Sequence, residues 1–252
     1  YEMQRSLVGS EMCIRDSNHG VEIAINAVPV RTKNFEWKTV VTLAHNASKL
    51  LSLSNELYET DSYMNVGGLG EPINVTTHRM EEGRPLGEFW GLKSVGVSEN
   101  GLFLIEKPDG EVVEFTTAMA QDDAYKQYLG NGLPKVYLGW SNTFSYKNWD
   151  LSMQFTSQLG FKILNEPRAY YENNSHAYNR LKSVEEAPYA GQYTLSSSQA
   201  QTFVSYYLEN GNFLKLTNLT LGYTFPIKKD NKWIKGVRAY LSGDNSVSYT
   251  HL

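Results

Sequence analysis

Two eleven-residue runs, Val136–Tyr146 and Trp149–Leu159, flank a Lys147-Asn148 turn and alternate strictly. Strand-turn-strand units of the same design recur along the chain, with connections alternately short and long. From these observations the sequence predicts an all-β protein, its antiparallel strands forming part of a transmembrane β-barrel. Successive strand residues point to opposite faces, so the alternation defines two surfaces. Val136, Leu138, Trp140, Asn142, Phe144 and Tyr146 share one face, continued by Trp149, Leu151, Met153, Phe155, Ser157 and Leu159. The opposite face carries Tyr137, Gly139, Ser141, Thr143 and Ser145, then Asp150, Ser152, Gln154, Thr156 and Gln158. One face is large and greasy; the other is small, polar and nearly uncharged. Strands average about 5–6 residues in soluble sheets. Eleven residues at roughly 3.3 Å each, tilted about 45°, cross the ~25 Å apolar band of an outer-membrane barrel. Phe144, Tyr146 and Trp149 cluster at the turn, where an interfacial aromatic girdle belongs.

The other elements follow in order. GVEIAINAVPV, from Gly20, alternates with Val21, Ile23, Ile25 and Ala27 on one face. RTKN is a short turn, and FEWKTVVTLAHNASKLLSLS places Phe35, Trp37, Thr39, Val41 and Leu43 together. Residues 55–75 are rich in Gly and Asn and form a loop that enters a strand near INVTTHRM. EEGRP is a further turn, followed by the strand LGEFWGLKSVGV. Pro108-Asp109-Gly110 marks a local hairpin within GLFLIEKPDGEVVEFTT. AMAQDDAYKQYLGNGLPK is irregular with one helical turn. Some 50 residues then separate the central hairpin from the next strand, with LNEPRAYYENNSHAYNRLKSVEEA partly helical and GQYTLSSSQAQ a polar loop. FLKLTNLTLGYTFP alternates with Leu219, Leu221, Tyr223 and Phe225 on one face; IKKDNK is a basic turn. In WIKGVRAYLSG, Val237, Ala239 and Leu241 lie opposite Arg238 and Tyr240, and Arg238 is expected on the polar face because a lipid-facing Arg costs about 2–4 kcal/mol. Short turns at 31–34, 80–85, 147–148 and 226–232, against long connections at 46–70, 98–135 and 160–211, match the barrel layout.

Composition narrows the function. The 252 residues carry a net charge of −4, which argues against a nucleic-acid partner. Mean hydropathy is −0.43 and no run approaches ~18 apolar residues, so no membrane-spanning helix is predicted, while a barrel stays open. Tyr 17, Phe 10 and Trp 5 suit aromatic girdles and glycan-binding sheets alike. One cysteine, Cys13, rules out an internal disulfide framework and a Cys-based zinc site. The five histidines show no ligand spacing. Neither cofactor nor metal is expected. Glu81-Glu82 and Asp122-Asp123 are expected to be solvated turns rather than catalytic pairs. No phosphate loop and no G-x-S-x-G occurs, so the chain is not expected to be an enzyme. Trp90 and Trp140 are assigned to wall or girdle.

The ends differ from the rest. Residues 1–17, YEMQRSLVGSEMCIRDS, have no period and no secretory pattern; they resemble translated sequencing-adapter read-through, and residues 246–252 the matching tail. A genuine irregular N-terminus is the alternative. The expected division is thus 1–17, 18–245 and 246–252.

Within 18–245, GVEIAINAVPVRTKNFEWKT, EEGRPLGEFWGLKSVGV, LGNGLPKVYLGWSNTFSYKNWDLSMQFTSQLGFKILN and GNFLKLTNLTLGYTFP followed by IKGVRAYLSGDN resemble, in order and spacing, the C-terminal barrel of SusC/RagA-type TonB-linked (TonB-dependent) outer-membrane proteins. The resemblance implies about eight strands of a barrel of about 22, with long extracellular loops. It implies outer-membrane import of oligosaccharides or peptides in a Gram-negative cell. The implied partners are a SusD-like surface lipoprotein, the TonB complex acting through a plug absent from this sequence, and membrane lipid. Eight strands alone would leave two open edges, so the chain is not expected to transport unaided. Many family members carry an acidic D-x-N-x-D-G stretch where this chain has AMAQDDAYKQYLGNG, so no calcium site is expected. Ligand contact is assigned to the long loop through Tyr170, Tyr171, Asn173, Asn174, His176, Tyr178 and Asn179, whose aromatic faces and amides suit sugars or a peptide backbone. The alternative is that they pack the loop on itself or against the lipoprotein. A soluble glycan-binding β-sandwich of a secreted protein is the rival reading of the whole chain.

Overall fold

The computed structural model describes residues 14–54, 61–175, 179–227 and 236–250. Among these lie fourteen strands and one α-helix. In chain order they are β1 Arg15–Arg31, β2 Phe35–Ser52, β3 Tyr63–Val66, β4 His78–Glu81, β5 Glu88–Val97, β6 Phe103–Glu106, β7 Val112–Glu114, β8 Lys126–Asn131, β9 Val136–Tyr146, β10 Trp149–Leu159, β11 Lys162–Leu164, α1 Glu166–Tyr171, β12 Leu208–Asn210, β13 Phe213–Phe225 and β14 Val237–Thr250. No described helix is long and apolar enough to cross a membrane. The chain divides into two compact units.

One unit comprises His19–Asn46, Pro134–Phe161 and Asn210–Leu252. Its sheet has the order β1-β2-β9-β10-β13-β14. The β9–β10 hairpin turns on Lys147-Asn148, with Lys147 at φ 53. Register carries the apolar face across the sheet: Trp37 pairs with Phe144, Phe144 with Leu151, Leu151 with Leu221 and Leu221 with Leu241. Paired rings line this face near the short turn: Trp37 and Phe144 stacked at 5.7 Å, Trp149 and Tyr223 tilted at 4.7 Å, Tyr223 and Phe225 edge to face at 5.0 Å. Polar residues interrupt the greasy face, and Ser157 Oγ, for one, donates to Phe213 O at 2.6 Å. The Trp37 indole N–H donates to Asn142 Oδ1 at 3.0 Å, and that of Trp140 to Thr39 Oγ1 at 3.0 Å. An unpaired amide on an apolar surface would cost several kcal/mol, roughly 2–7.

The opposite face is polar, as expected. Asn218 Nδ2 donates to Asp244 Oδ1 at 2.8 Å and Thr220 Oγ1 to Ser242 Oγ at 3.1 Å. Arg238 lies here, its Nε donating to Asp150 Oδ1 at 3.0 Å. That pair crosses the backbone of β13 at Gly222, the register partner of Asp150. A Cβ at Gly222 would sit 2.6 Å from Asp150 Oδ1, so glycine leaves the ion pair its path. The strand backbone of β1 starts at Arg15 and that of β14 runs to Thr250, into the stretches that the sequence set apart as ends.

The second unit gathers the described parts of Ala47–Leu133 and Lys162–Glu209. The long connections are therefore not extended loops; they fold on a core of their own. Leu92, Phe103, Ile105, Phe203, Val204 and Tyr207 are buried there. Each buried side chain of this size contributes about 1.5–3 kcal/mol. The sheet β3-β4-β5-β6-β7, with β8 on β5, forms its frame. The hairpin at Pro108-Asp109-Gly110 forms as expected: Gly110 has φ +89, its N–H reaches Lys107 O at 2.9 Å, and Glu111 N–H donates to Asp109 Oδ1 at 3.0 Å. The expected helical turn appears as two 3-10 turns, Thr117–Ala120 and Asp123–Tyr125.

Three expectations change. The strands near INVTTHRM and in LGEFWGLKSVGV are expected among about eight wall strands; they are β4 and β5 of this second sheet, and the β1-β2-β9-β10-β13-β14 sheet has six strands among the described residues. The cause is visible in β5. Phe89, Gly91, Leu92, Ser94 and Val97 are all buried, so neither face is left for lipid. Gly91 lies against the Phe203 ring, where a Cβ would come within 2.6 Å. Trp90 accordingly is not girdle; it stacks on Arg79, whose guanidinium lies 3.9 Å from its ring. Glu81 and Asp123 are not free in solvated turns either, because Tyr128 donates to Glu81 and Arg79 to Asp123. The IKKDNK turn lies largely outside the described residues.

Candidate functional site

The candidate site belongs to the second unit and is built from the 160–211 connection and the glycine-rich hairpin at 67–76. Helix α1 starts where Asn165 caps it, accepting from Arg168 N–H at 3.2 Å, with Pro167 in the first turn. Its last turn is fixed by charge. Arg168 donates to Glu172 Oε1 at 2.9 Å and to Glu209 Oε1 at 2.8 Å, and Tyr206 Oη donates to Glu172 Oε1 at 2.6 Å. The Glu172 side chain is only 3 % exposed. Burial pushes its carboxyl up, and the Arg168 and Tyr206 hydrogen bonds more than reverse this, holding it below the usual range. Burial first, then the adjacent Glu172 carboxylate, push the Tyr206 hydroxyl above its usual value.

This lock aims Tyr170 and Tyr171 at the hairpin. Tyr170 Oη donates to Gly70 O at 3.1 Å, and Gln201 Nε2 donates to Tyr170 O at 2.5 Å. The hairpin closes on itself through Leu69 N–H to Val75 O at 3.0 Å and Asn74 N–H to Gly70 O at 3.1 Å. Between them lies a cavity of about 250 Å³ lined by Glu71, Pro72, Tyr170, Tyr171, Asn173, Asn179, Arg180 and Gln201.

Four of the seven residues singled out in the sequence thus meet at one cavity. Asn173 is buried and committed to the loop: its Nδ2 donates to Gln199 O at 3.1 Å, and its Oδ1 accepts from Ser175 N–H at 2.6 Å. Asn174 does not line the cavity; it donates to Leu195 O at 2.6 Å and accepts from Arg180 at 2.6 Å. His176 and Tyr178 lie outside the described residues. Tyr171 is 55 % exposed. Glu71, Pro72, Arg180 and Gln201 were missed. Only the fold brings the hairpin at residue 71 next to residue 170, and no sequence spacing encodes that contact.

The lining offers two tyrosine rings, three amide side chains and one charge of each sign. Among the described residues no three His, Cys, Asp or Glu side chains are grouped to hold a metal ion.

No family model matches the chain. Curated relatives do. TonB-dependent receptor P3 of Formosa agariphila is 26% identical over 247 residues, covering 92% of this chain and 24% of the relative. TonB-dependent receptor SusC of Bacteroides thetaiotaomicron is 26% identical over 247 residues, covering 90% and 22%. Among solved structures, the RagAB peptide transporter aligns over 94% of this chain and 26% of its own, with TM-score 0.78 and 22% identity. The RagAB peptide importer in a closed-closed state gives TM-score 0.73 at 20% identity. The chain spans about a quarter of the length of the curated relatives it matches. By sequence and fold together, the chain is similar to SusC/RagA-type TonB-dependent receptors.

Proposed function

We propose that this chain supplies part of the barrel wall, and a second folded unit, of an outer-membrane importer of oligosaccharides or peptides. The observation that carries the reading is the β1-β2-β9-β10-β13-β14 sheet, with one continuous greasy face, aromatic rings at its short-turn end and a polar face opposite. A sheet of that kind suits lipid on one side and a wet lumen on the other. Residues 18–245 form the receptor part, with 1–17 and 246–252 adapter-derived. A SusD-like lipoprotein is the partner at the outer surface, and the TonB complex acts through a plug on the full receptor. The relatives are receptors by name, and the reading is of transport, not catalysis. Tyr170, Tyr171 and Asn179 touch the solute, with Asn173 shaping the cavity floor.

The test is a host strain lacking the gene that carries this sequence, complemented with that gene or with an empty vector. The complemented strain takes up at least one labelled oligosaccharide or peptide that the other does not, and the receptor is found in detergent-extracted outer membranes. Recovery in the soluble fraction without detergent would reject the reading in favour of a soluble glycan-binding module.

A further inference from the structure

The hairpin at 67–76 supplies one wall of the tyrosine-lined cavity through Glu71 and Pro72, and it is anchored at both ends. At its tip Gly70 O accepts from Ile73 N–H and Asn74 N–H, each at 3.1 Å, and from Tyr170 Oη at 3.1 Å. At its base, where β3 ends at Val66 and β4 begins, stands His78. His78 pairs with Val66 on one side and with Phe89 on the other, and its ring lies 4.4 Å from that of Phe89. Gly67, the first hairpin residue, has φ +65, and a Cβ there would stand 3.0 Å from His78 Nδ1 and 3.1 Å from Thr77 Oγ1. The hairpin backbone therefore rests on the contact between these two side chains.

That contact fixes a proton. Thr77 Oγ1 and His78 Nδ1 are 2.8 Å apart. Thr77 is 3 % exposed, and among the described residues its hydroxyl has no other hydrogen-bond partner. A buried hydroxyl needs an acceptor for its proton, so Thr77 donates and Nδ1 accepts. The ring can accept there only while neutral, with its own proton on Nε2. Protonation at Nδ1 sets two donors against each other and leaves the buried Thr77 hydroxyl unpaired.

No charge compensates an imidazolium at this place. Arg79 and Glu81 project to the opposite face of β4, where Asp123 holds Arg79 and Tyr128 donates to Glu81. In β5, Glu88 is paired with Arg84. Val66 of β3 and Gly67 of the hairpin carry no charge. Burial alone acts on the imidazole and holds it below its ordinary value of 6.5. The unfolded ring takes up a proton near 6.5 and the folded ring only at lower pH. Stability is therefore whole above 6.5 and is lost as pH falls from there through the folded value.

We propose that His78 is an acid-sensitive hinge: protonating Nδ1 breaks the contact on which Gly67 rests and frees the 67–76 hairpin, and with it the cavity wall that Tyr170 pins through Gly70. The device depends on the geometry of that wall and not on what the cavity takes up.

The experiment is hydrogen–deuterium exchange of the full 252-residue chain in detergent micelles, from about pH 7.5 to about pH 5.5, with rates corrected for the intrinsic pH dependence of exchange. Peptides spanning 67–76 lose protection at least about threefold on acidification, and those spanning 166–171 follow through Tyr170, while 103–106 in β6 stays unchanged. His78→Gln keeps an acceptor for Thr77 but cannot titrate, so its hairpin stays equally protected throughout. Thr77→Val removes the hydroxyl that a protonated ring leaves unpaired, so the response to pH shrinks. Near-ultraviolet circular dichroism of both variants matches the parent at the upper pH. His19 and His45 belong to the other unit, and neither variant alters them. A parent hairpin that does not respond, loosening that 166–171 does not share, or an undiminished response in folded His78→Gln or in Thr77→Val would overturn the proposal.

Discussion

Gly91→Ala tests whether the second unit is a close-packed body. Gly91 lies in β5, and a Cβ there would stand 2.6 Å and 2.7 Å from two ring carbons of Phe203 and 3.4 Å from Leu129 Cδ1. Phe203 is itself 2 % exposed and has nowhere open to swing. One methyl group forced into such a core costs about 1–3 kcal/mol. For a chain of this size each kcal/mol lowers Tm by about 2–4 °C. The assay is thermal unfolding of the full chain in detergent, followed by near-ultraviolet circular dichroism, where the tyrosine and tryptophan rings of this unit report. Phe203→Leu alone also destabilises, by opening a cavity. In the double variant the new methyl enters the space that the ring vacated, so the two costs add to less than their sum by about 1 kcal/mol or more. Gly91→Ala without cost, or strict additivity in the cycle, would refute the packing of β5 against the 203–207 segment.

Three further outcomes are expected. Met153→Arg places a charge on the greasy face of β10 and lowers insertion into bilayers by about 2–4 kcal/mol, while Gln154→Arg on the polar face is tolerated; equal effects in a membrane-partition assay would reject the lipid-facing assignment. Glu172 has a folded pKa below its ordinary value of 4.5, so its stabilisation is complete above that pH and is lost as pH falls through the lower folded value. Protease cleavage of the 166–181 segment should therefore rise on acidification below about pH 4.5 in the parent and stay flat across that window in Glu172→Gln. Tyr171→Ala and Asn179→Ala in the full receptor should each weaken solute uptake by about tenfold, a loss of roughly 1.4 kcal/mol, with unchanged outer-membrane levels; uptake at parental rates would remove the tyrosine-lined cavity from the import path.

The six-stranded sheet was legible because its physics is local. In β9 and β10 every second residue from Val136 to Leu159 declares a face, and the Lys147-Asn148 turn sets the register that joins them. The same holds for Phe35–Leu43 and for Leu219–Phe225. Even Arg238 followed from cost alone, although its partner Asp150 did not, because that contact crosses β13 and depends on a glycine at 222. The 78–97 stretch misled for a reason that its residues do contain. On one face Lys93 follows Phe89 and Gly91, and on the other Glu88 precedes Trp90, so neither side is free of charge as a lipid-facing strand requires.

The site was only half legible, and the division is physical. Tyr170, Tyr171, Asn173 and Asn179 announce themselves as aromatic and amide side chains in one loop, and composition is enough to nominate them. Their fates are set by long-range partners. Asn173 and Asn174 look alike in sequence, yet each amide is spent on a carbonyl more than 20 residues away, Gln199 and Leu195. Tyr171 keeps an open ring because α1 ends where Arg168 grips Glu172, and that grip holds only because Glu209 and Tyr206 arrive from the far end of the connection. A long connection in a barrel is ordinarily taken for a free loop. Here burial of Phe103, Phe203 and Tyr207 offsets the entropy of ordering it, and the ordered loop can then hold a buried lysine at 126 and a tyrosine pair at 170 in fixed places. If the tyrosine-lined cavity takes the solute as proposed, a variant that loosens this second core, such as Gly91→Ala, should weaken solute binding without touching a single cavity residue.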